Sequence, residues 1–213
     1  LWLWVASGME TALVVLVTLL ILVTVEQIAV DNFRKLAILN VLIVVVTLSR
    51  ADGFIVAAIA IAYVLIRGRY KAALWASITL IGTIVVYSAW RLSYYGDLLP
   101  NTYYAKVSGP LIERIIFAIR QLWGIAMNEG LFVYLLAFIF ASVQLITSYI
   151  RVGQGEKRLL YGFDTVFIPI WLIYWIYIGA DHFVERFLVV LYPLGIIMFF
   201  RHIGPELRTY GRI

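Results

Sequence analysis

The chain has no cysteine, only two histidines, and charged side chains at just 14% of its 213 residues. Without cysteine there is no disulfide framework and no thiolate metal site. His182 and His202 fall in segments read below as opposite faces, which excludes a histidine-rich metal centre. There is no P-loop, no GxGxxG and no GxSxG, so ATPase, dinucleotide and serine-hydrolase chemistry lack support. No internal repeat, low-complexity tract or pair of interrupted helices marks a transporter. The net charge of +5 is spread between hydrophobic runs instead of forming a stripe, so no nucleic-acid partner is expected. The chain opens on LWLWVASG, with no initiator Met and no basic region ahead of a cleavage site. No signal peptide is read there, and an upstream part is expected to be missing.

What is abundant is apolar surface: 64% of the residues, with a mean hydropathy of +0.98. A soluble domain is nearer about 45–50% apolar. A chain of this size cannot enclose so many apolar side chains in its own core, so lipid is the expected solvent. Hydrophobic runs fall at 11–30, 36–48, 54–66, 72–90, 131–149, 165–178 and 187–200. A helix needs roughly 20 residues to cross the hydrocarbon. The first, fourth and fifth runs reach that. The others, at roughly 13–14 residues, span only with snorkelling ends or local thinning.

The expected fold is therefore all-α. It is a single multi-pass transmembrane bundle over 1–213, with about seven hydrophobic helices and an exoplasmic segment over 91–130. Within that segment Leu111, Ile115, Ile116, Ile119, Leu122 and Trp123 recur at helical spacing, with Glu113, Arg114, Arg120 and Gln121 between them. This pattern predicts an amphipathic helix in the membrane interface, either a plain anchor or a groove wall.

Alternating the loops separates two sets. One holds 31–35, 67–71, 151–164 and 201–213 and carries eleven of the seventeen basic residues. The other holds 1–10, 49–53, 91–130 and 179–186 and carries Arg50, Arg91, Lys106, Arg114, Arg120 and Arg186. The positive-inside rule assigns the first set to the cytoplasm. The second set, with SGMETA, SRADG, RLSYYGDLLPNTYYAK and GADHFVERF, then faces outward and is the expected site.

Each motif has a structural and a chemical reading. Gly96-Asp97 and Pro100-Asn101 are turn signals. Tyr94, Tyr95, Tyr103 and Tyr104 serve an interfacial aromatic belt or pack against sugar rings. Asp97, Asn101 and Thr102 can bond sugar hydroxyls, and Arg91 and Lys106 can hold phosphate. Arg50 and Asp52 read either as an ion pair closing a tight turn or as a phosphate-binding arginine in a polar cavity. Asp181, His182, Glu185 and Arg186 cap a hairpin or form a base or cation site. Ser7 with Glu10 reads as a capping box.

In this order, SGMETAL, SRADG, RLSYYGDLLPNTYYAK and GADHFVERFLVVLYPL resemble the polytopic GT-C glycosyltransferases, most closely the group of mycobacterial terminal arabinofuranosyltransferases. The Tyr-Gly-Asp-Leu-Leu-Pro-Asn-Thr segment is the specific part. Ala51 stands where that pattern has Pro, and Ala180 where it has a second Gly. The resemblance covers most of the chain.

The resemblance implies inverting transfer of a sugar from a polyprenyl-phosphate donor to a glycan or lipid-linked acceptor at the outer face of the cell membrane. It also implies a catalytic Asp in an exoplasmic loop upstream of Leu1, so this segment alone is expected to be inactive. Within the chain the expected catalytic carboxylates are Asp181, Glu10 and Asp52. The expected substrate contacts are Arg50, Arg91, Tyr94, Tyr95, Asp97, Asn101, Thr102, Lys106, His182 and Arg186. No metal ligands are assigned, and a divalent cation as cofactor is left open. The alternatives are a polyprenyl-phosphate flippase and a non-catalytic membrane subunit.

Overall fold

The computed structural model describes residues 10–28, 32–97, 110–128, 162–179 and 187–202, with the single positions 132, 139, 142 and 143. Among these residues every regular element is helical. The helices are α1 Thr11–Gln27, α2 Phe33–Ser49, α3 Gly53–Ile66, α4 Tyr70–Tyr95, α5 Leu111–Asn128, α6 Phe163–Tyr177 and α7 Leu191–His202. Most of the hydrophobic run expected over 131–149 lies outside the described residues.

Continuous apolar runs fold this way because a helix satisfies its backbone polar groups within one segment. Local signals fix the ends. The Asn32 side chain accepts from the Lys35 amide at 3.0 Å and starts α2. Gly96, at φ 78°, ends α4 in the left-handed region, and its amide donates back to the Leu92 carbonyl at 3.1 Å.

The sequence places the start of the long outer segment at Arg91, and the structure moves that boundary. No breaker precedes Gly96, so Arg91, Tyr94 and Tyr95 form the last turns of α4. Likewise α1 stops at Gln27, before residue 30, and α2 extends past 36–48 at both ends.

Helix α3 lies at the centre and packs on α1, α2, α4 and α6. It does so through Val56, Ala57, Ala60, Tyr63 and Val64, all buried. Phe163, Phe167 and Trp171 repeat one helical turn apart on α6, with successive ring centroids 5.4 Å apart. Tyr63 meets Phe163 edge-on at 5.8 Å. Leu194 and Met198 of α7 close the core against this ladder. Helix α5 packs on α6.

Helix α4 touches the bundle through Ala73, Ala76 and Leu80 and leaves Leu74, Trp75, Ile78, Ile81, Val85 and Val86 exposed. Among the described helices it alone is long and apolar enough to cross a membrane; α1, α3, α6 and α7 are apolar but shorter. At about 1.5 Å per residue, the 26 residues of α4 reach roughly 39 Å, while the 17 of α1 reach roughly 25 Å.

Candidate functional site

The two ends of α1, at Glu10 and at Glu26, carry different chemistry. At one end the chain leaves α2 at Arg50 in extended conformation and enters α3 at Gly53. The Gly53 amide donates to the Arg50 carbonyl at 3.0 Å, which closes the turn. Glycine is required at this position: a Cβ there would fall on the Val46 carbonyl of α2. The close approach holds Arg50 and Asp52 side by side. Arg50 Nε donates to Asp52 Oδ1 and Nη2 to Oδ2, each at 2.9 Å. Glu10 Oε1 lies 3.6 Å from the same Nε. The guanidinium sits 4.4 Å from the centre of the Phe187 ring, and Phe187 is fixed in turn by its carbonyl, which accepts from Trp171 Nε1 at 2.8 Å.

Arg50 and Asp52 are buried, at 9% and 6% exposure, whereas the Glu10 side chain is 37% exposed. Bidentate pairing and the aromatic face suit a buried guanidinium. The arrangement realises the turn-closing ion pair and uses the fork of Arg50 on Asp52. Two carboxylates around one guanidinium leave the trio with a net charge of −1. Glu10 is its one carboxylate with an open side.

Of the capping box expected at Ser7 and Glu10, the structure describes Glu10 alone. Glu10 itself occupies the N-cap position of α1 and makes no side-chain cap bond. Its carboxylate turns to Arg50, because a nearby guanidinium attracts it more strongly than a backbone amide. Ser7 lies outside the described residues.

The end of α4 forms a second group. Trp90 stacks on Tyr94 at 5.8 Å, and Tyr94 meets Tyr95 at 4.7 Å. Arg91 lies 5.1 Å from the Tyr95 ring centre. Tyr94, Tyr95 and Asp97 are exposed. Asn101, Thr102, Lys106, Asp181, His182 and Arg186 lie outside the described residues. Of the expected site residues, the structure brings together Glu10, Arg50 and Asp52. It sets Arg91, Tyr94 and Tyr95 on one helix end.

Sequence reasoning missed Phe187, whose ring faces Arg50, and Trp171 of α6, which holds the Phe187 carbonyl. It also missed a cluster at the opposite end. There Arg201 of α7 donates to Glu26 of α1 at 2.7 Å and to Asp164 of α6 at 2.5 Å. Glu26 also accepts from the Phe163 amide at 3.3 Å, which satisfies a free amide at the start of α6. The available signal was weak: three solitary charges, each at the edge of a different apolar run.

Among the described residues, no three His, Asp or Glu side chains gather as metal ligands. Searches against protein-family models, curated proteins and solved structures return no match to this chain.

Proposed function

We propose that the chain is part of a multi-pass membrane glycosyltransferase of GT-C type. In this reading it moves a sugar from a polyprenyl-phosphate donor to a glycan or lipid-linked acceptor at the outer face of the cell membrane. One observation carries the reading. Glu10 of SGMETA, Arg50 and Asp52 of SRADG, and the closing Phe187 of GADHFVERF meet around a single guanidinium. These are three of the four segments on which the resemblance rests, and they lie far apart in the sequence. The apolar faces left exposed on α4 and α5 support a lipid surround and several spans.

In the proposed reaction an acceptor hydroxyl attacks the anomeric carbon from the face opposite the leaving group. The bond to the lipid-phosphate oxygen breaks and the configuration inverts. A carboxylate takes the hydroxyl proton, and cations stabilise the departing phosphate. Within this chain the resemblance offers Asp181 as a carboxylate of the site.

Because Asp52 occupies the fork of Arg50, Lys106, Arg186 and Arg91 are the cations left to bind phosphate directly. Arg50 and Asp52 then build the floor of the site. Glu10 borders it, and Tyr95, Asp97, Asn101 and Thr102 hold sugar or order the chain beside it.

The test is transfer of labelled sugar from a panel of polyprenyl-phosphate donors by the full-length protein in liposomes. Product that falls tenfold or more with Lys106→Ala, an order-of-magnitude expectation, supports the reading. No product from any donor, while labelled lipid still crosses the bilayer, replaces it with a transporter.

A further inference from the structure

The Glu26–Arg201–Asp164 cluster lies at the end of the bundle away from Arg50 and has no part in the sugar-transfer reading. It joins α1, α6 and α7, and it sets two carboxylates against one guanidinium. Asp164 is fully enclosed, at 0% exposure. Its Oδ1 is held by Arg201, while its Oδ2 is buried without a hydrogen-bond partner. The neighbouring Thr165 hydroxyl is also buried and unpartnered.

The groups around Asp164 are of both kinds. Burial opposes a carboxylate most strongly and Glu26 adds to that, whereas Arg201 and the first-turn amides of Asp164 and Thr165 favour one. Tyr63 of α3 sits among Glu26, Arg201 and Asp164, and the Arg67 guanidinium lies 5.8 Å from the centre of its ring. Helix α5 reaches α6 through Arg114 at the far, Tyr177 end.

We infer that this cluster is a proton-binding site, in which Asp164 Oδ2 takes up one proton and the cluster becomes neutral. Asp164 is enclosed while Glu26 and Arg201 are each a little under a third exposed, so the excess charge is relieved most readily by a proton on the enclosed Oδ2. The step forms one O–H bond, takes the proton from water and breaks no bond between heavy atoms. It leaves Glu26 and Arg201 as a one-to-one ion pair. Loss of the proton puts a net negative charge between α1, α6 and α7 and weakens the hold of α7 on the bundle. The Arg50 trio has the same charge count but differs in kind. Both oxygens of Asp52 are partnered, and Glu10 is open on one side.

Infrared spectroscopy of the full chain in lipid vesicles, with isotope-labelled aspartate, tests the site without any sugar donor. The expected result, read as pH is raised, is a protonated-carboxyl band that moves with the aspartate label and persists above the pH at which ordinary aspartates ionise. Asp164→Asn should remove that band. Glu26→Gln should also remove it, because one carboxylate per guanidinium then stays ionised. A purely structural ion pair would show no such coupling. A wild-type titration in which every aspartate-labelled carboxyl ionises in the ordinary aspartate range would overturn the proposal, as would persistence of the band in Asp164→Asn. The wild-type titration decides even if a variant fails to fold.

Discussion

Arg50 and Asp52 meet edge to edge, with Nε on Oδ1 and Nη2 on Oδ2, both at 2.9 Å. Because the pair is buried, removing Asp52 leaves the guanidinium with only the part-exposed Glu10, 3.6 Å away, and no bidentate partner. Asp52→Asn is expected to destabilise the fold by about 3–5 kcal/mol. Arg50→Lys should not restore the loss, since a lysine ammonium cannot make the bidentate contact. The double variant Arg50→Met with Asp52→Leu should be milder than either single charge deletion. Unfolding in detergent of wild type, Arg50→Met, Asp52→Leu and the double variant, read as a double-mutant cycle, checks the ordering.

Two glycines should respond to alanine with opposite signs. At Gly53 the new Cβ collides with the Val46 carbonyl, and backbone cannot step aside as a side chain can. Overpacking of this kind costs about 1–3 kcal/mol. At Gly82, within α4, a Cβ meets nothing within 4 Å. Gly82→Ala should therefore stabilise α4 by about 0.5–1 kcal/mol through its better helix propensity. Unfolding midpoints of the two variants against wild type settle the pair of signs.

Helix α5 is tied to α6 by one well-defined polar contact. Arg114 Nη1 donates to the Tyr177 carbonyl at 2.9 Å, and the guanidinium lies 5.5 Å from the Tyr177 ring centre. A cation at this point satisfies a carbonyl at the end of α6 and complements its dipole. Arg114→Ala should speed amide exchange in the first turns of α5 and leave α2 and α3 unchanged. Hydrogen exchange measured segment by segment reads this directly. Equal exchange in both proteins would mean that apolar packing of Ala118 and Ile125 alone holds α5.

Much of the helical layout was legible because long apolar runs allow few other backbones. The ends were less so. Tyr94 and Tyr95 read as loop residues by composition, yet aromatic stacking from Trp90 carries α4 on to Gly96. The Arg50–Asp52 pair was legible, since two charges two residues apart at the edge of an apolar run must find each other. The third and fourth members were not. Glu10 looked like a capping residue, and Phe187 like one more apolar side chain; only the antiparallel return of α1 and the approach to α7 bring them to Arg50. Arg201, Asp164 and Glu26 were hidden for the same reason. Their pairing depends on three helices meeting, and local sequence does not encode that.

The most direct test of the central claim is the effect of Glu10→Gln on sugar transfer by the full-length protein. Glu10 lies at the open edge of the Arg50 trio, so the change removes a charge from the proposed site without burying an unpaired one. Turnover reduced by about tenfold or more, with the unfolding midpoint unchanged, is the expected result. Transfer at the wild-type rate in a folded Glu10→Gln protein would contradict the placing of the reaction at this end of the bundle.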